Sequence, residues 1–328
     1  MKILMISLDK KILDPSSAVA QRMIKYGEKD ELFILIPHSE KKQIDLSNTV
    51  HVWSTGGNKR KQYSQLKKVG LELIKQKEIK FITVQDPSFI GNIGRWLKKK
   101  TGAQLEIQVH GDFFNSDYYK LLKDRIRYSW FGKKNLLYAD RVRVVGERVK
   151  KSIIALGVQE EKIEIRPVLI GKDNKGQRER DLHKEFSEYE KIFLLMGRLE
   201  DIKNGGWLID VMADIKEEYK KNFLLLIVGE GSEKQYWRNI VAYRHFENNV
   251  RFETWTTDPF MYYLNVDCVL FPSLSEGYGL VPMEANAAGT PVIMNNVGVA
   301  NYELKPSEKV IILPVNDREA WKKAILSI

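Results

Sequence analysis

The feature of this sequence that most constrains the fold is a regular alternation of short β-branched or apolar runs with longer amphipathic stretches. In the first half, the runs that predict strands are residues 3–7, 32–36, 81–84, 105–109 and 142–145. The intervening stretches that predict helices include residues 63–77, 92–100 and 118–137. Because such alternation is typical of βαβ units, we predict a parallel sheet.

The alternation stops once and then begins again. A polar segment rich in Lys, Asp, Glu and Gly, residues 171–189, follows Pro167. The next apolar runs are residues 192–196, 223–228, 250–252, 268–271, 292–294 and 310–313. A chain of 328 residues is too long for one ordinary core and suits two domains. We therefore predict two Rossmann-like α/β domains, residues 1–168 and 169–328, that face each other across a cleft.

The apolar runs and the termini bear on where the protein works. The longest runs, residues 192–196 and 223–228, fall far short of the ~20 residues that a membrane-spanning helix needs. The N-terminus lacks the long apolar stretch and the small-residue cleavage site of a signal peptide. The single cysteine, Cys268, cannot form an internal disulfide or a cysteine-based metal site. We expect a cytoplasmic protein, with peripheral association at the inner face of the membrane as one option.

Charge is divided unequally between the two predicted domains. Residues 1–168 contain 33 Lys and Arg against 19 Asp and Glu, a net charge of +14, whereas residues 169–328 have a net charge of −4. This excess predicts that the first domain meets an anionic partner, for which a membrane surface or an acidic glycan are the candidates. Nucleic acid has the right charge, but we expect no nucleic-acid partner. A well-solvated surface explains the same excess.

The strongest candidate site is the segment SEGYGLVPMEANAAGTPVI, residues 275–293, which follows the predicted strand 268–271. Gly277 and Gly279 allow close backbone approach, and a short helix is predicted over about residues 280–288. The N-terminus of a helix binds anions through free N–H groups and the helix dipole. Glu276 precedes that helix and Glu284 lies about one turn inside it, so both carboxylates can accept hydrogen bonds from sugar hydroxyls. The alternative is a surface Glu and a Glu that merely favours the helix dipole.

Two further loops follow predicted strands of the second half. GRLEDIKNGG, residues 197–206, places Arg198 and Lys203 where two cations can hold a diphosphate and stabilise its departure; two solvated surface cations are the alternative. VGEGS, residues 228–232, is a glycine-containing loop that permits close approach to phosphate or base.

In the first half, the segment VHGD places His110 at the end of a strand. A histidine there is either a polar group at a reacting sugar or a hydrogen-bonded structural residue. The segment DPSS opens a helix at about residue 18, with Ser16 or Ser17 as its N-cap.

With these motifs in place, the chain resembles the retaining glycosyltransferases of family 4, also called glycosyl transferases group 1, over nearly all of its length. EGYGLVPME, residues 276–284, is similar to the E-x7-E signature of that family. GRLEDIKN, residues 197–204, is similar to its phosphate-binding segment, and VGEGSE, residues 228–233, to its VGxG loop. The resemblance implies the GT-B fold, with the donor sugar nucleotide in the C-terminal half.

The resemblance also implies roles for individual residues. Glu276 would contact the donor sugar, Glu284 the nucleotide ribose and His110 the reacting sugar. It assigns Arg198 and Lys203 to the diphosphate. The remaining donor-binding residues that it implies are Gly197, as well as Gly229 and Glu230 in the VGxG loop, and Gly277, Tyr278, Gly279 and Leu280 through backbone amides.

Two departures from the family pattern stand out. The first loop of the family usually carries a glycine pair, whereas residues 14–17 have none, so we assign no donor contact to it. Members usually end with helices that cross back onto the first domain, whereas this chain stops at Ile328 in a helix predicted from about residue 317. We expect either a truncated C-terminal domain or a different means of interdomain closure.

The resulting hypothesis is transfer of a hexosyl unit from a nucleoside-diphosphate sugar, a co-substrate, to a hydroxyl of a glycan or lipid-linked acceptor, with retention. We expect no cofactor and no divalent metal, because no Asp-x-Asp tripeptide occurs to hold one beside a diphosphate. The alternatives are a sugar-nucleotide epimerase on the same fold and a non-catalytic basic module that binds polyanions. An oxidoreductase is disfavoured, because no G-x-G-x-x-G follows the first strand.

Overall fold

The computed structural model describes residues 1–114, 127–168, 170 and 180–328. Contacts divide the chain into a first unit, Met1–Val145 with Val149–Arg166, and a second unit, Gly146–Arg148 with Pro167–Ile328. The first part of the helix predicted over residues 118–137 and of the polar segment 171–189 lies outside the described residues. Within the described part of the chain, no helix is both long and apolar enough to span a bilayer.

The first unit is built on an eight-stranded sheet whose order is β3-β4-β2-β1-β5-β6-β7-β8. All neighbouring strands are parallel except β3 and β4, which pair antiparallel at one edge. The strands are β1 (Lys2–Ile6), β2 (Glu31–Ile36), β3 (Gln43–Ser47), β4 (Val50–Ser54), β5 (Phe81–Val84), β6 (Gln104–Val109), β7 (Arg141–Val144) and β8 (Ile163–Ile165).

Helices connect these strands. The α-helices are α1 (Ala18–Gly27), α2 (Lys59–Lys77), α3 (Phe89–Thr101), α4 (Lys133–Tyr138) and α5 (Glu147–Ala155), with short 3₁₀ turns at Lys10–Leu13 and Glu160–Lys162 and a π-helical turn at Arg127–Gly132. Ser17 is the N-cap of α1, because its side chain accepts a hydrogen bond from the amide of Ala20.

The second unit contains a six-stranded, fully parallel sheet with the order β11-β10-β9-β12-β13-β14. Its strands are β9 (Lys191–Met196), β10 (Phe223–Val228), β11 (Val250–Glu253), β12 (Cys268–Phe271), β13 (Val292–Asn295) and β14 (Val310–Leu313). Its α-helices are α6 (Leu182–Glu185), α7 (Gly205–Tyr219), α8 (Lys234–Tyr243), α9 (Pro259–Tyr263), α10 (Leu280–Ala287) and α11 (Arg318–Leu326), with 3₁₀ turns at Asp201–Lys203 and Glu247–Asn249. Counted within this unit, the strand order is 3-2-1-4-5-6, that of a doubly wound dinucleotide-binding sheet.

The apolar runs form the central strands because both faces of each sheet are covered. Every residue of β10 and of β12 is buried, as expected for a parallel strand between two layers of helices. One core of the second unit includes the fully buried Trp321 of α11 and Trp237 of α8. Burial of each large apolar side chain contributes about 1.5–3 kcal/mol relative to exposure. The predicted α/β fold with two parallel-sheet domains is confirmed.

Three strands were missed by the sequence analysis. β3 is a half-exposed edge strand, β4 alternates buried and half-buried residues, and β8 has three half-buried residues. None of the three presents the continuous apolar run that marks a doubly covered parallel strand, which explains why the pattern did not reveal them. The helix predicted near residues 280–288 spans Leu280–Ala287.

Candidate functional site

The candidate site of the second unit lies at the carboxyl ends of β9 and β12, which are neighbours at the centre of the sheet. The strand order reverses direction between them, because β10 follows on one side and β13 on the other. In open α/β sheets the loops diverge at such a switch point and leave a crevice for a ligand. The two richest sequence motifs, residues 197–206 and 275–293, follow these two strands.

The glycine-containing loop after β10 holds the loop after β9 in place through the backbone. The amide of Leu199 donates to the carbonyl of Glu230 over 2.9 Å. A Cβ on Gly229, whose φ is +150°, would lie 1.9 Å from the carbonyl oxygen of Gly197. A Cβ on Gly231 would lie 2.2 Å from the carbonyl oxygen of Leu199. These glycines therefore allow two backbone segments to pack directly against each other.

Lys203 and Glu276 form an ion pair that joins the loops after β9 and β12. The ammonium group of Lys203 donates to Oε1 of Glu276, and each side chain is only 16% exposed. The same ammonium lies 5.1 Å from the ring centroid of Phe271, the last residue of β12. Two residues separated by 73 positions are thus brought together at the switch point.

Arg198 is placed differently from Lys203. Its side chain is 73% exposed, and its guanidinium lies 3.1 Å from Oε1 of Glu200. Glu230 also points to a neighbour, with Oε1 2.7 Å from the ammonium of Lys234. Of the two cations predicted for the diphosphate, the structure pairs Lys203 with the predicted sugar-binding residue Glu276, and Arg198 with Glu200.

The loop after β12 leads into α10, whose N-terminus has no side-chain cap. Gly279 occupies the N-cap position with φ +107° and, having no side chain, makes no capping hydrogen bond to the first turn. Leu280 begins the helix and is exposed, Gly277 is half-buried and Tyr278 is buried. Because an uncapped helix N-terminus presents free N–H groups and a positive dipole end, this point of the loop favours an anion.

Glu284, one turn inside α10, contacts a buried phenol. The hydroxyl of Tyr263, in α9, donates to Oε2 of Glu284 over 2.9 Å. Burial, and then the negative charge of Glu284, raise the pKa of Tyr263 well above its ordinary value. Tyr263 therefore stays a neutral donor that orients the carboxylate of Glu284.

Behind the loop after β12, the structure places residues that the sequence analysis missed. The side-chain amide of Asn295, at the end of β13, donates to the carbonyls of Pro272 and Ser273 over 2.7 and 3.1 Å. The indole N–H of Trp321 donates to Oδ1 of Asn295 over 3.0 Å. A polar residue ending a buried strand was the available signal for Asn295, since ligand-binding loops begin there.

Gly298 was also missed. A Cβ at this position would lie 2.0 Å from the carbonyl oxygen of Tyr278 and 2.9 Å from Cβ of Glu276. The amide of Val299 donates to the same Tyr278 carbonyl over 2.7 Å. The loop after β13 therefore supports the backbone between Glu276 and the start of α10, and it does so through a glycine that no other residue can replace without displacement.

In the first unit, His110 follows β6 and ends a chain of directed hydrogen bonds. Thr83 donates to the carboxylate of Glu106 over 2.8 Å, so the side-chain amide N–H of Gln108 must donate to Thr83, also over 2.8 Å. The carbonyl oxygen of Gln108 then faces Nε2 of His110 at 3.1 Å. Nε2 must carry the proton, which leaves Nδ1 of His110 as an acceptor.

The surroundings of His110 favour the neutral ring. Desolvation first, and then the positive charges of Arg143 and Arg22, lower its pKa from 6.5 to about 4. The residue nevertheless remains accessible to solvent. A neutral, tautomerically defined imidazole at the carboxyl end of a strand is suited to hydrogen bonding with a ligand hydroxyl.

The fold and the candidate site together indicate the class of α/β domain to which the second unit belongs. A 3-2-1-4-5-6 parallel sheet with a cation, two carboxylates and an open helix N-terminus at its switch point is typical of an α/β domain that binds a nucleotide. Residues 177–328 match the family model described as glycosyl transferases group 1. The match covers nearly all of the second unit.

Individual relatives agree with that match. An uncharacterised glycosyltransferase of Methanocaldococcus jannaschii is 34% identical over 136 residues, which are 40% of this chain and 34% of the relative. The chain spans about a third of the length of the curated relatives that it matches first.

Solved structures resemble the chain over its whole length and define the fold as GT-B-like. The lipopolysaccharide outer core galactosyltransferase WaaB superposes with a TM-score of 0.72 at 18% identity, covering 99% of this chain and 89% of WaaB. The Anabaena protein HepE in complex with UDP superposes with a TM-score of 0.73 at 15% identity, covering 100% of this chain and 89% of HepE. At these identities the likeness concerns the fold alone.

Proposed function

We propose that this protein is a retaining glycosyltransferase, resembling family 4, that moves a hexosyl unit from a nucleoside-diphosphate sugar to a hydroxyl acceptor. The observation that carries the proposal is the Lys203–Glu276 pair at the switch point of the second sheet, beside the open N-terminus of α10. A cation and free amides recognise a diphosphate, and a carboxylate recognises sugar hydroxyls. The match of residues 177–328 to glycosyl transferases group 1 supports the same assignment.

Each group then has a role in donor binding. Lys203 leaves Glu276 for the diphosphate, and the backbone of residues 277–280 hydrogen-bonds the distal phosphate and the sugar. Glu276, once released, accepts from hydroxyls of the hexose. Glu284, oriented by Tyr263, accepts from the ribose hydroxyls of the nucleotide. The complex of HepE with UDP favours uridine diphosphate as the first nucleotide to test.

The transfer step needs positive charge where the leaving group forms. The bond from the anomeric carbon to the phosphate oxygen breaks, the acceptor oxygen bonds to the same face, and the leaving phosphate takes the acceptor proton. Lys203, Arg198 and the α10 dipole stabilise the diphosphate as it departs. His110, neutral and with Nδ1 as acceptor, hydrogen-bonds the reacting sugar. We propose that these groups replace a divalent metal.

We propose a glycan or lipid-linked acceptor, handled by the first unit at an anionic membrane surface. An aromatic and basic patch supports this location. Trp130 and Phe131 are 64% and 41% exposed. Their rings meet edge to face, with the centroids 5.0 Å apart. The ammonium of Lys134 lies 5.6 Å from the Trp130 ring. Exposed aromatics beside lysines suit the interface of an anionic bilayer.

The proposal is tested by incubating the protein with UDP-, GDP- and ADP-hexoses and a panel of lipid-linked and soluble glycans. We expect nucleoside diphosphate release that depends on acceptor, and a product whose anomeric configuration by NMR is that of the donor. Isomerised donor in the absence of acceptor would instead identify an epimerase. Inversion in the product would refute the retaining assignment.

A further inference from the structure

A polar cavity of about 340 Å³ lies in the first unit at the carboxyl ends of β2 and β4. Its walls include Lys41, Lys61, Thr55, Gly56 and Gly57. The hydroxyl of Thr55 donates to the carbonyl of His38 and accepts from its amide, so it fixes the loop and is not a free donor. None of these residues belongs to the site described above.

The diglycine turn makes room for the two lysines. Gly56 and Gly57 have φ values of +73° and +83°, which side chains rarely adopt. A Cβ on Gly57 would lie 2.7 Å from Cδ of Lys61, and a Cβ on Gly56 would lie 3.0 Å from Cβ of Lys41. The amide of Gly57 donates to the carbonyl of Ser39 over 2.6 Å, which joins the two loops. The lysine stems therefore pack against bare backbone on two walls of one cavity.

The two ammonium groups have no carboxylate partner among the described residues. The neighbouring Lys42, in contrast, pairs with Glu40 at 2.6 Å. The segment TGGNKRK, residues 55–61, contains three cations and no acidic residue. Two ammonium groups that have no carboxylate partner among the described residues, on the walls of one polar cavity, favour a compact, multiply charged oxyanion.

The cavity and His110 lie at the same edge of the first sheet. β2, β4 and β6 run parallel, so their carboxyl ends share an edge. The cavity is three to four strand positions from β6 in the sheet order, or roughly 14–19 Å at ~4.8 Å per strand. A group bound in this cavity therefore belongs to a part of the ligand that is remote from His110. Binding energy from such a remote part of a substrate positions its reacting end.

We propose that this cavity binds a phosphate or diphosphate group of the acceptor, and that the acceptor is therefore a phosphorylated glycan or lipid. This inference rests on the proposed function, since it names the substrate class for the unit assigned to the acceptor. A sugar phosphate in solution and a polyprenyl-type lipid diphosphate present the same chemistry to Lys41 and Lys61.

The test uses the full chain, saturated with the nucleoside diphosphate that binds best, so that the donor site is filled. Inorganic pyrophosphate is then titrated by calorimetry in the presence of EDTA. The double variant Lys41→Met with Lys61→Met is compared with Lys68→Met with Lys75→Met, which removes the same charge from exposed positions farther along α2. All four residues are exposed, so both variants should fold.

We expect pyrophosphate affinity to fall at least about tenfold in the cavity variant and less than about twofold in the control, because charge-assisted hydrogen bonds are lost only in the first. Equal affinity in all three proteins, or equal losses in both variants, would overturn the proposal. Nucleoside diphosphate binding should be the same in all three, so its absence would count against the proposed function and not against the cavity.

A vesicle arm identifies the source of the phosphate. If the cavity variant loses pyrophosphate binding but keeps its affinity for vesicles of phosphatidylglycerol, the group is carried by a glycan or soluble phosphate. If it loses both while the control keeps both, the group is a lipid headgroup. Either pattern supports the proposal.

Discussion

Replacement of Glu276 by Gln should separate nucleotide binding from sugar transfer, because in the free protein this carboxylate holds the ammonium group that the diphosphate needs. Glu276→Gln keeps the size and the hydrogen-bonding capacity of the side chain but removes its charge. The incoming diphosphate then no longer competes with a carboxylate for Lys203. We expect nucleoside diphosphates to bind more tightly to the variant and the turnover of nucleotide sugars to fall.

The magnitude follows from the environment of the pair. Exposed ion pairs contribute about 0.2–1 kcal/mol, whereas removal of one partner from a fully buried pair costs about 3–5 kcal/mol. Both side chains are 16% exposed, between these limits. An intermediate value of about 1–2 kcal/mol corresponds to roughly 5- to 30-fold tighter binding of the nucleoside diphosphate. Turnover should fall about 10²-fold or more if hydroxyl contacts to Glu276 strengthen in the transition state.

Calorimetric titration of UDP, GDP and ADP into the wild type and Glu276→Gln measures the first effect, and product release from the matching nucleotide sugar measures the second. Glu247→Gln is a matched control, because this exposed residue lies just before β11. It is therefore at the amino ends of the strands, whereas the candidate site is at their carboxyl ends. Weaker nucleoside diphosphate binding to Glu276→Gln would refute the competition between Glu276 and the diphosphate. Unchanged turnover would refute the contact of Glu276 with the donor sugar.

Three further predictions concern other parts of the account. Transfer should survive EDTA, because protein groups supply the positive potential at the leaving group; activity lost in EDTA and restored by Mg²⁺ or Mn²⁺ would show otherwise. In ¹⁵N NMR spectra, His110 should be the Nε2–H tautomer and stay neutral from pH 8 to pH 5, because its pKa is lowered to about 4. Gln108→Leu should abolish that tautomer preference, and an Nδ1–H tautomer in the wild type would contradict the hydrogen-bond chain. Trp130→Ala with Lys134→Ala should weaken binding to anionic vesicles and leave nucleoside diphosphate binding unchanged; equal binding of the wild type to neutral and anionic vesicles at low salt would remove the membrane assignment.

The sequence predicted those parts of the fold that depend on local pattern. Buried parallel strands such as β9 and β12 appear as short apolar runs. Pro282 in the first turn, with Gly289 and Pro291 after the end, predicted a helix that the structure places at Leu280–Ala287. Edge strands such as β3 were not predicted, because a half-exposed strand has no continuous apolar run. The boundaries of α10 could be predicted from the sequence, because residues within the helix and next to it determine where it starts and ends.

The contacts that organise the candidate site could not be read from the sequence. Lys203 and Glu276 meet only because β9 and β12 are neighbours, which depends on the strand order. The same holds for Tyr263 with Glu284 and for the support that Asn295 gives to the loop after β12. Arg198 follows the same strand as Lys203, yet its side chain turns to Glu200 and solvent. Motif spacing identified the candidate residues, whereas their contact partners follow only from the order of the strands in the sheet.

The most direct test of the central claim, that the loops after β9 and β12 hold a nucleoside diphosphate, is a calorimetric titration of UDP, GDP and ADP into three proteins. These are the wild type, Lys203→Met and Lys221→Met, the last of which removes the same charge just before β10, at the opposite edge of the sheet. We expect at least one diphosphate to bind the wild type and Lys221→Met equally, and to bind Lys203→Met at least about tenfold more weakly, because a charge-assisted contact is lost. Equal affinity of Lys203→Met and the wild type, or no binding of any diphosphate to the wild type, would contradict it.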